Sequence, residues 1–280
     1  MREINTTVIT QAVKELCLCA NCQLPEDVRK ALNLAVKNEE SELGKSIINT
    51  IINNYEIAEQ ENLAICQDTG MVVVFCEIGQ DVHLTGKSVE EAINEGVAQA
   101  YKEGCFRNSI VGDPLIRKNT DDNTPAVVHY NISDGDKISL TIAPKGFGSE
   151  NMSAVKMLKP SDGVEGIIKF VIETVESAGS NPCPPIVVGV GIGGTMEKAA
   201  LLAKKALIRS IDSENEKEHI ANLENQLLKK INNLGIGPQG LGGRITALKV
   251  NVETYPTHIA GLPVAVNIGC HVNRHVSIEI

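Results

Sequence analysis

Three cysteines stand where the chain changes direction, each with glycine or proline close by. Cys66 opens the stretch CQDTG, Cys183 lies between prolines in NPCPP, and Cys270 lies in NIGCHVNRH after an apolar run. Such positions can present sulfur to a cleft from a backbone of fixed shape, and thiolates are nucleophiles and ligands of soft metals. Because the three cysteines lie far apart in the sequence, spacing alone leaves open whether they share one site.

The other cysteines indicate packing more than chemistry. Cys17, Cys19 and Cys22 in CLCANC would lie on a helix at positions that do not share one face, and no fourth ligand is near. Cys76 lies in an apolar run and is expected in the core. Cys105 follows a predicted helix, and packing is the simpler expectation for it.

The glycine-rich stretch GVGIGG offers a different chemistry. Gly189, Gly191 and Gly194 fit the G-x-G-x-x-G pattern of dinucleotide-binding turns, after an apolar run and before a helix. The prolines around Cys183 are foreign to that fingerprint, and the region of Asp212 looks helical rather than the end of a strand. A nucleotide-dependent oxidoreductase, a tight strand-to-helix turn, and a loop packed beside an inorganic cofactor stay open as alternatives.

Composition narrows the class of protein. The chain has 280 residues and a formal net charge of −9, and this acidic balance argues against nucleic acid or an anionic membrane as the main partner. No run of about 18 apolar residues predicts a transmembrane helix, and the N-terminal stretch lacks the apolar core of a secretory signal. A cytoplasmic protein is expected, in which the cysteines are not a disulfide framework.

The elements that must position these residues follow from hydrophobic periodicity. Apolar residues at helical spacing predict helices over 6–62, and the β-branched run at 71–79 predicts a strand. The stretch around Asp134-Gly135 predicts a β-hairpin turning at that pair. The pattern predicts an α/β (mixed α+β) fold. We expect a single catalytic domain over residues 1–280, with a helical N-terminal region at 1–62 and an α/β region at 63–280. Further helices are expected at 88–104, 161–178, 195–209 and 214–233, and further strands at 186–191, 244–254 and 262–268.

Taken together, ICQDTG, KGFGSEN, NPCPPIVVGVGIGG and HIAGLPVAVNIGCHVNRH resemble the iron–sulfur (class I) fumarate hydratases. The resemblance spans nearly the whole chain and is closest to the α subunit of the two-subunit form, which is similar to the α subunit of L-tartrate dehydratase. It implies that Cys66, Cys183 and Cys270 hold a [4Fe–4S] cluster with one iron left without a protein thiolate. Such an iron acts as a Lewis acid toward a hydroxyl and a carboxylate.

The same resemblance assigns roles to the neighbours of Cys66. Gln67 would hydrogen-bond the substrate, and Asp68 would take part in proton transfer. Read alone, QDTG is a plain turn whose Asp bonds its own backbone. Arg107 in CFRNS would pair with a substrate carboxylate, whereas an ordinary surface arginine is the alternative.

Further site residues are implied near the second and third cysteines. Phe147 and Gly148 in KGFGSEN would place backbone N–H groups at a helix start, where anions bind. Some relatives have glycine where this chain has Phe147. His258 in THIAGLP would be a catalytic residue, although a lone histidine is more often structural. The sequence does not decide whether His271, Arg274 and His275 support the residues of the site or contact a partner chain.

The implied reaction is the reversible hydration of fumarate to (S)-malate, a step of the tricarboxylic acid cycle, on a small C4 dicarboxylate. The alternative within the same chemistry is L-tartrate dehydration to oxaloacetate. Single-chain relatives continue into a second domain, and this sequence ends before it. The resemblance therefore implies a separate β subunit that completes the site, in an α2β2-type assembly. A third possibility is a non-catalytic scaffold that keeps these motifs only for structure. Such a protein is expected to fold equally well with Cys66, Cys183 and Cys270 all changed to serine.

Overall fold

The computed structural model describes residues 1–280. The chain divides into two compact units. The first unit comprises Met1–Pro25, Asn54–Phe147 and Arg274–Ile280, and the second comprises Glu26–Asn53 and Gly148–Asn273. Each unit contains one four-stranded sheet. The single catalytic domain expected from the sequence stays a prediction.

Helices and strands alternate along most of the chain, and the predicted α/β class is confirmed. In chain order the elements are β1 (Arg2–Asn5), α1 (Thr7–Cys22), α2 (Glu26–Asn38), α3 (Glu42–Glu61), β2 (Met71–Gly79), β3 (Val82–Thr85), α4 (Val89–Glu103), β4 (Val127–Ser133), β5 (Ile138–Lys145), α5 (Phe147–Glu150), β6 (Ala154–Leu158), α6 (Gly163–Ala178), β7 (Ile186–Gly193), α7 (Met196–Leu207), α8 (Glu218–Asn232), β8 (Ala247–Tyr255), β9 (Leu262–Gly269) and β10 (Val276–Glu279).

The sheet of the first unit has the strand order β10-β5-β2-β4, and a separate parallel pair joins β1 to β3. Strand β2 is central, with β4 parallel on one side and β5 antiparallel on the other. Helix α4 begins with a capping box at Ser88, whose hydroxyl accepts from the Glu91 N–H while the Glu91 carboxylate accepts from Ser88 N. Apolar residues of α1 and α4, among them Ile9, Val13 and Ile93, form the buried core with the sheet.

The predicted hairpin at Asp134-Gly135 is wrong, because β4 and β5 do not pair with each other. They flank β2, and the connection between them crosses the end of that strand, where Gly79 N donates to Lys137 O at 2.8 Å. A local turn signal predicts a change of direction, but the apolar run of β2 decides which strands pair, since a central strand buries more surface.

The sheet of the second unit has the order β6-β9-β7-β8, with β7 parallel to β8 and antiparallel to β9. Val188 and Val190 of β7 face the core formed with α6 and α8. Because side chains alternate along a strand, Gly189 and Gly191 point to the other face, where α7 lies. None of the helices in either unit combines the length and the apolar character needed to cross a membrane.

These glycines explain the GVGIGG stretch. A Cβ on Gly189 would lie 2.1 Å from Ala203 O, and one on Gly191 would lie 2.0 Å from Ala199 O, so β7 touches the backbone of α7 directly. In a dinucleotide fingerprint the glycines shape a turn that meets a pyrophosphate. Here Gly189 and Gly191 are packing glycines within a strand, and the oxidoreductase interpretation is not supported.

Candidate active site

In the first unit, the loop between α3 and β2 carries Cys66, Gln67 and Asp68. Cys66 and Asp68 are half-buried, and Gln67 is exposed. The Asp68 N–H points at Cys66 Sγ, with 3.4 Å between nitrogen and sulfur. The loop therefore presents a supported sulfur next to an amide and a carboxylate.

The Asp68 carboxylate is held by backbone N–H groups on both of its oxygens. Gly70 N donates to Oδ1 at 3.0 Å, and Phe147 N donates to Oδ2 at 2.8 Å. A Cβ on Gly146 would lie 3.0 Å from Oδ2, so glycine at 146 lets the carboxylate approach the backbone. The motifs CQDTG and KGFGSEN thus meet at this carboxylate, although 79 residues separate Asp68 from Phe147.

The backbone of the same loop is fixed by several donors. Tyr101 Oη donates to Thr69 O at 2.6 Å, and Asn123 Nδ2 donates to Gly70 O at 3.1 Å. Gly70 has a φ of +77°, and a Cβ there would lie 2.7 Å from the carbonyl of Lys145. Only glycine combines this conformation with this approach.

Replacing Gly70 by alanine is expected to destabilise the chain by about 3 kcal/mol, because a left-handed backbone and a rigid overlap add together. Gly135→Ala is the matched control, since Gly135 has a φ of +92° with nothing within 4 Å of its Cβ position. That control should lose only about 1 kcal/mol. Urea unfolding of both variants measures the difference, and equal losses would refute the close approach of Gly70 to Lys145.

The backbone of Arg107 contacts this loop. Thr69 Oγ1 donates to Arg107 O at 2.9 Å, while the arginine residue itself is exposed. The contact therefore places an exposed arginine residue beside the Asp68 loop. Phe147 is also exposed, but its N–H already donates to Asp68.

In the second unit, Cys183 and Cys270 lie at the same end of two neighbouring strands. Cys183 precedes β7, Cys270 follows β9, and these antiparallel strands pair Val187 with Gly269. Cys183 is exposed and has a φ of +55°, a conformation that residues other than glycine rarely adopt. Cys270 is half-buried. The sheet therefore brings two of the three predicted cysteines to the same end of its two inner strands.

A histidine joins the two cysteine loops, and a glutamine contacts the first of them. His271 Nδ1 lies 2.9 Å from Cys183 O, and since a carbonyl only accepts, Nδ1 carries the proton of this hydrogen bond. Gln239 donates to Pro184 O from both its backbone N and its side-chain Nε2, at 2.8 Å each. Gln239 was not predicted from the sequence, but the glycine-rich stretch GIGPQGLGG that contains it could have indicated a shaped loop.

His258 lies at the other end of this sheet. It is exposed in the connection from β8 to β9, and its Nδ1 accepts from Ala260 N at 3.2 Å. Because β7 runs the length of the sheet, roughly 20 Å separates the end that carries His258 from the end that carries Cys183 and Cys270. The second unit does not bring His258 to its cysteines, and the catalytic role of His258 stays a prediction. Gly148, at the start of the second unit, is exposed.

The remaining cysteines are sorted by burial. Cys17 and Cys76 are fully buried; burial and the nearby Glu77 raise the pKa of the Cys76 thiol to about 11, and burial raises the pKa of Cys17 further. Cys105 is exposed, which does not support the expectation that it serves in packing. None of the eight cysteines forms a disulfide, and no three His, Cys, Asp or Glu side chains form a group that could hold a single metal ion.

Comparison with known proteins gives a consistent result. The family model for fumarate hydratase (Fumerase) matches residues 10–279. The chain is 49% identical over 273 residues to a protein of Methanocaldococcus jannaschii named "Putative L(+)-tartrate dehydratase subunit alpha", covering 95% of each chain. It is 33% identical over 275 residues to L(+)-tartrate dehydratase subunit alpha of Escherichia coli (strain UTI89 / UPEC), covering 97% of this chain and 90% of that protein.

These matches define the class of protein: the chain is a hydro-lyase, an enzyme that adds water across a carbon–carbon double bond or removes it. The chain belongs to the fumarate hydratase family. The family predicted from CQDTG, KGFGSEN, NPCPP and NIGCHVNRH is confirmed.

Proposed function

We propose that the chain is the α subunit of an iron–sulfur hydro-lyase that interconverts a hydroxylated C4 dicarboxylate and its dehydrated form. Fumarate and (S)-malate are the first substrate pair, and L-tartrate is the second candidate because both relatives above carry that name. The observation that carries the proposal is the loop in which an N–H-supported Cys66 stands two residues from a carboxylate fixed by two backbone donors.

The donor set fits a [4Fe–4S] cluster held by Cys66, Cys183 and Cys270. None of the three is in a disulfide, and all three reach solvent to some extent, in contrast to the buried Cys17 and Cys76. Thiolates are the usual ligands of such clusters. When bound, a cluster with one open iron position supplies Lewis acidity toward a hydroxyl and a carboxylate.

The protein groups supply the rest of the chemistry. Dehydration removes a proton from the carbon beside one carboxylate and a hydroxide from the next carbon. Asp68 is the group proposed to move that proton, since its carboxylate is fixed in direction by Gly70 and Phe147. Gln67 is proposed to donate a hydrogen bond to the substrate, and the exposed Arg107 to pair with a carboxylate.

Two further assignments concern the backbone around α5. Because the Phe147 N–H donates to Asp68, the proposed contribution of Phe147 is to orient that carboxylate and to line the pocket wall with its exposed ring. The Gly148 N–H is then the donor proposed for the substrate in this stretch.

A separate β subunit is proposed to complete the site in an α2β2-type assembly. The name "subunit alpha" of the relatives implies such a partner. The proposed substrate-binding residues Gln67, Arg107 and Phe147 are exposed on this chain, as residues that meet a second chain would be. The net charge of −9 also fits an arrangement in which part of the positive charge for a dicarboxylate comes from the partner.

The test is made without oxygen, on the chain alone and together with its candidate β subunit. Iron and sulfide are measured, and malate and L-tartrate are each assayed for dehydration. About four irons per chain are expected, with activity only when β is present. Activity on tartrate but not malate would select the second substrate, and absence of iron from the active complex would refute the cluster assignment.

A further inference from the structure

Arg274 is a buried cation without a carboxylate partner. It is 5% exposed, and its Nε donates to Pro144 O at 3.3 Å while one terminal nitrogen donates to Asp68 O. The other terminal nitrogen, Nη1, is buried and has no hydrogen-bond partner. A guanidinium is always protonated in proteins, so this position carries a full positive charge away from water.

The two carbonyls that accept from Arg274 belong to the two segments that meet at the Asp68 carboxylate. Pro144 lies in the stretch that leads to Phe147, whose N–H donates to Asp68 Oδ2. The guanidinium therefore links, through backbone carbonyls, the two segments that this hydrogen bond joins. A shift of either segment would turn the carboxylate or remove its donor.

Neutral groups already hold the same loop, which raises the question of why a charge is present. Tyr101 donates to Thr69 O and Asn123 to Gly70 O. The charge of Arg274 reaches nearby groups, since it opposes the rise in pKa that burial imposes on Cys22 and on Tyr101. A buried cation with an unused donor favours anionic groups in its surroundings.

We propose that Arg274 is a positioning residue of the hydro-lyase: its guanidinium fixes the Asp68 carboxylate against the Phe147 backbone, and its buried charge favours anions bound at this loop. The inference rests on the proposed function for the role of Asp68, but the placement of the loop can be tested without it. Arg274 contacts Asp68 only through the backbone carbonyl, so it acts through Asp68.

The experiment compares Arg274→Gln and Arg274→Lys in the assembled enzyme and in the purified full chain. For Arg274→Gln, turnover per cluster is expected to fall about 10- to 100-fold, because a small misplacement of a reacting group lowers kcat. KM should stay within about threefold of the wild-type value. Arg274→Lys, which keeps the charge, should retain more activity. Hydrogen exchange of the full chain should become roughly tenfold faster at the Gly70 and Phe147 amides.

Arg2→Gln is the matched control, since the exposed Arg2 also donates to two backbone carbonyls, Asp136 O and Ile280 O, in the same unit. Exchange and turnover like those of this control would overturn the proposal. It would also be overturned if both Arg274 variants lost folded protein or iron in proportion to activity. If the wild-type enzyme dehydrates neither substrate, the proposed function fails, and the exchange of Gly70 and Phe147 alone decides whether Arg274 positions Asp68.

Discussion

Replacing Cys183 by serine is expected to leave the chain folded and to remove both its iron and its activity. Serine keeps the Cβ and the left-handed backbone of this exposed position, so no new strain arises. A hydroxyl does not replace a thiolate as an iron ligand at neutral pH, because ligands must be deprotonated. Activity should fall below about 1% of wild type, together with the visible absorption of the cluster.

Cys105→Ser is the matched control for this experiment. Cys105 is also exposed and also left-handed, with a φ of +51°, but it is not a proposed ligand. Iron content and activity of this variant should equal those of wild type. Full iron in the Cys183 variant, or equal loss of iron in both variants, would remove Cys183 from the ligand set.

Asp68→Asn is expected to lower kcat by about 10²- to 10⁴-fold, the usual contribution of a positioned acid or base. Both carboxylate oxygens accept from backbone N–H groups. The side-chain NH2 of asparagine would therefore face one of these N–H groups, donor against donor. That mismatch destabilises the loop by about 1–3 kcal/mol. Cluster content should stay unchanged, and iron analysis beside steady-state kinetics measures both quantities.

Asp113→Asn is the control for replacing a hydrogen-bonded aspartate by asparagine away from the candidate site. Asp113 Oδ1 likewise accepts from two backbone N–H groups, those of Leu115 and Ile116, and these bonds hold the pKa of Asp113 below its usual value. Because only Oδ1 accepts at Asp113, the amide oxygen of asparagine can take its place, and the control should lose little stability and no turnover. If the Asp68 variant turned over as fast as the Asp113 variant, Asp68 would not be the proton-transfer group.

The elements with strong periodicity could be predicted from the sequence, and the pairing of strands could not. The nine-residue strand Met71–Gly79 was predicted with its bounds, because an apolar β-branched run is a local signal. The hairpin at Asp134-Gly135 failed because β2 lies between its two arms. Short edge strands such as Val276–Glu279 carry too few residues for a periodic signal, and only their partner β5 defines them.

The same distinction applies to the candidate site. The residue types Cys66, Asp68 and Cys183 could be chosen from their motifs. The contact of Asp68 with Phe147 could not, since it depends on how β2 and β5 pair and on the absence of a Cβ at Gly146. The isolation of His258 at the far end of its sheet is likewise a property of topology.

The composition of the first unit has a consequence for biosynthesis. Residues 274–280 supply its edge strand β10 and the buried Arg274, yet the ribosome makes them after the whole of Gly148–Asn273. The segments of the second unit are therefore complete while β5 still has an open edge, the kind of edge to which other chains can pair. The loop of Cys66 and Asp68 thus acquires the support of Arg274 only after translation has passed that residue. The candidate site of a nascent chain is therefore completed later than the position of Cys66 and Asp68 in the sequence would indicate.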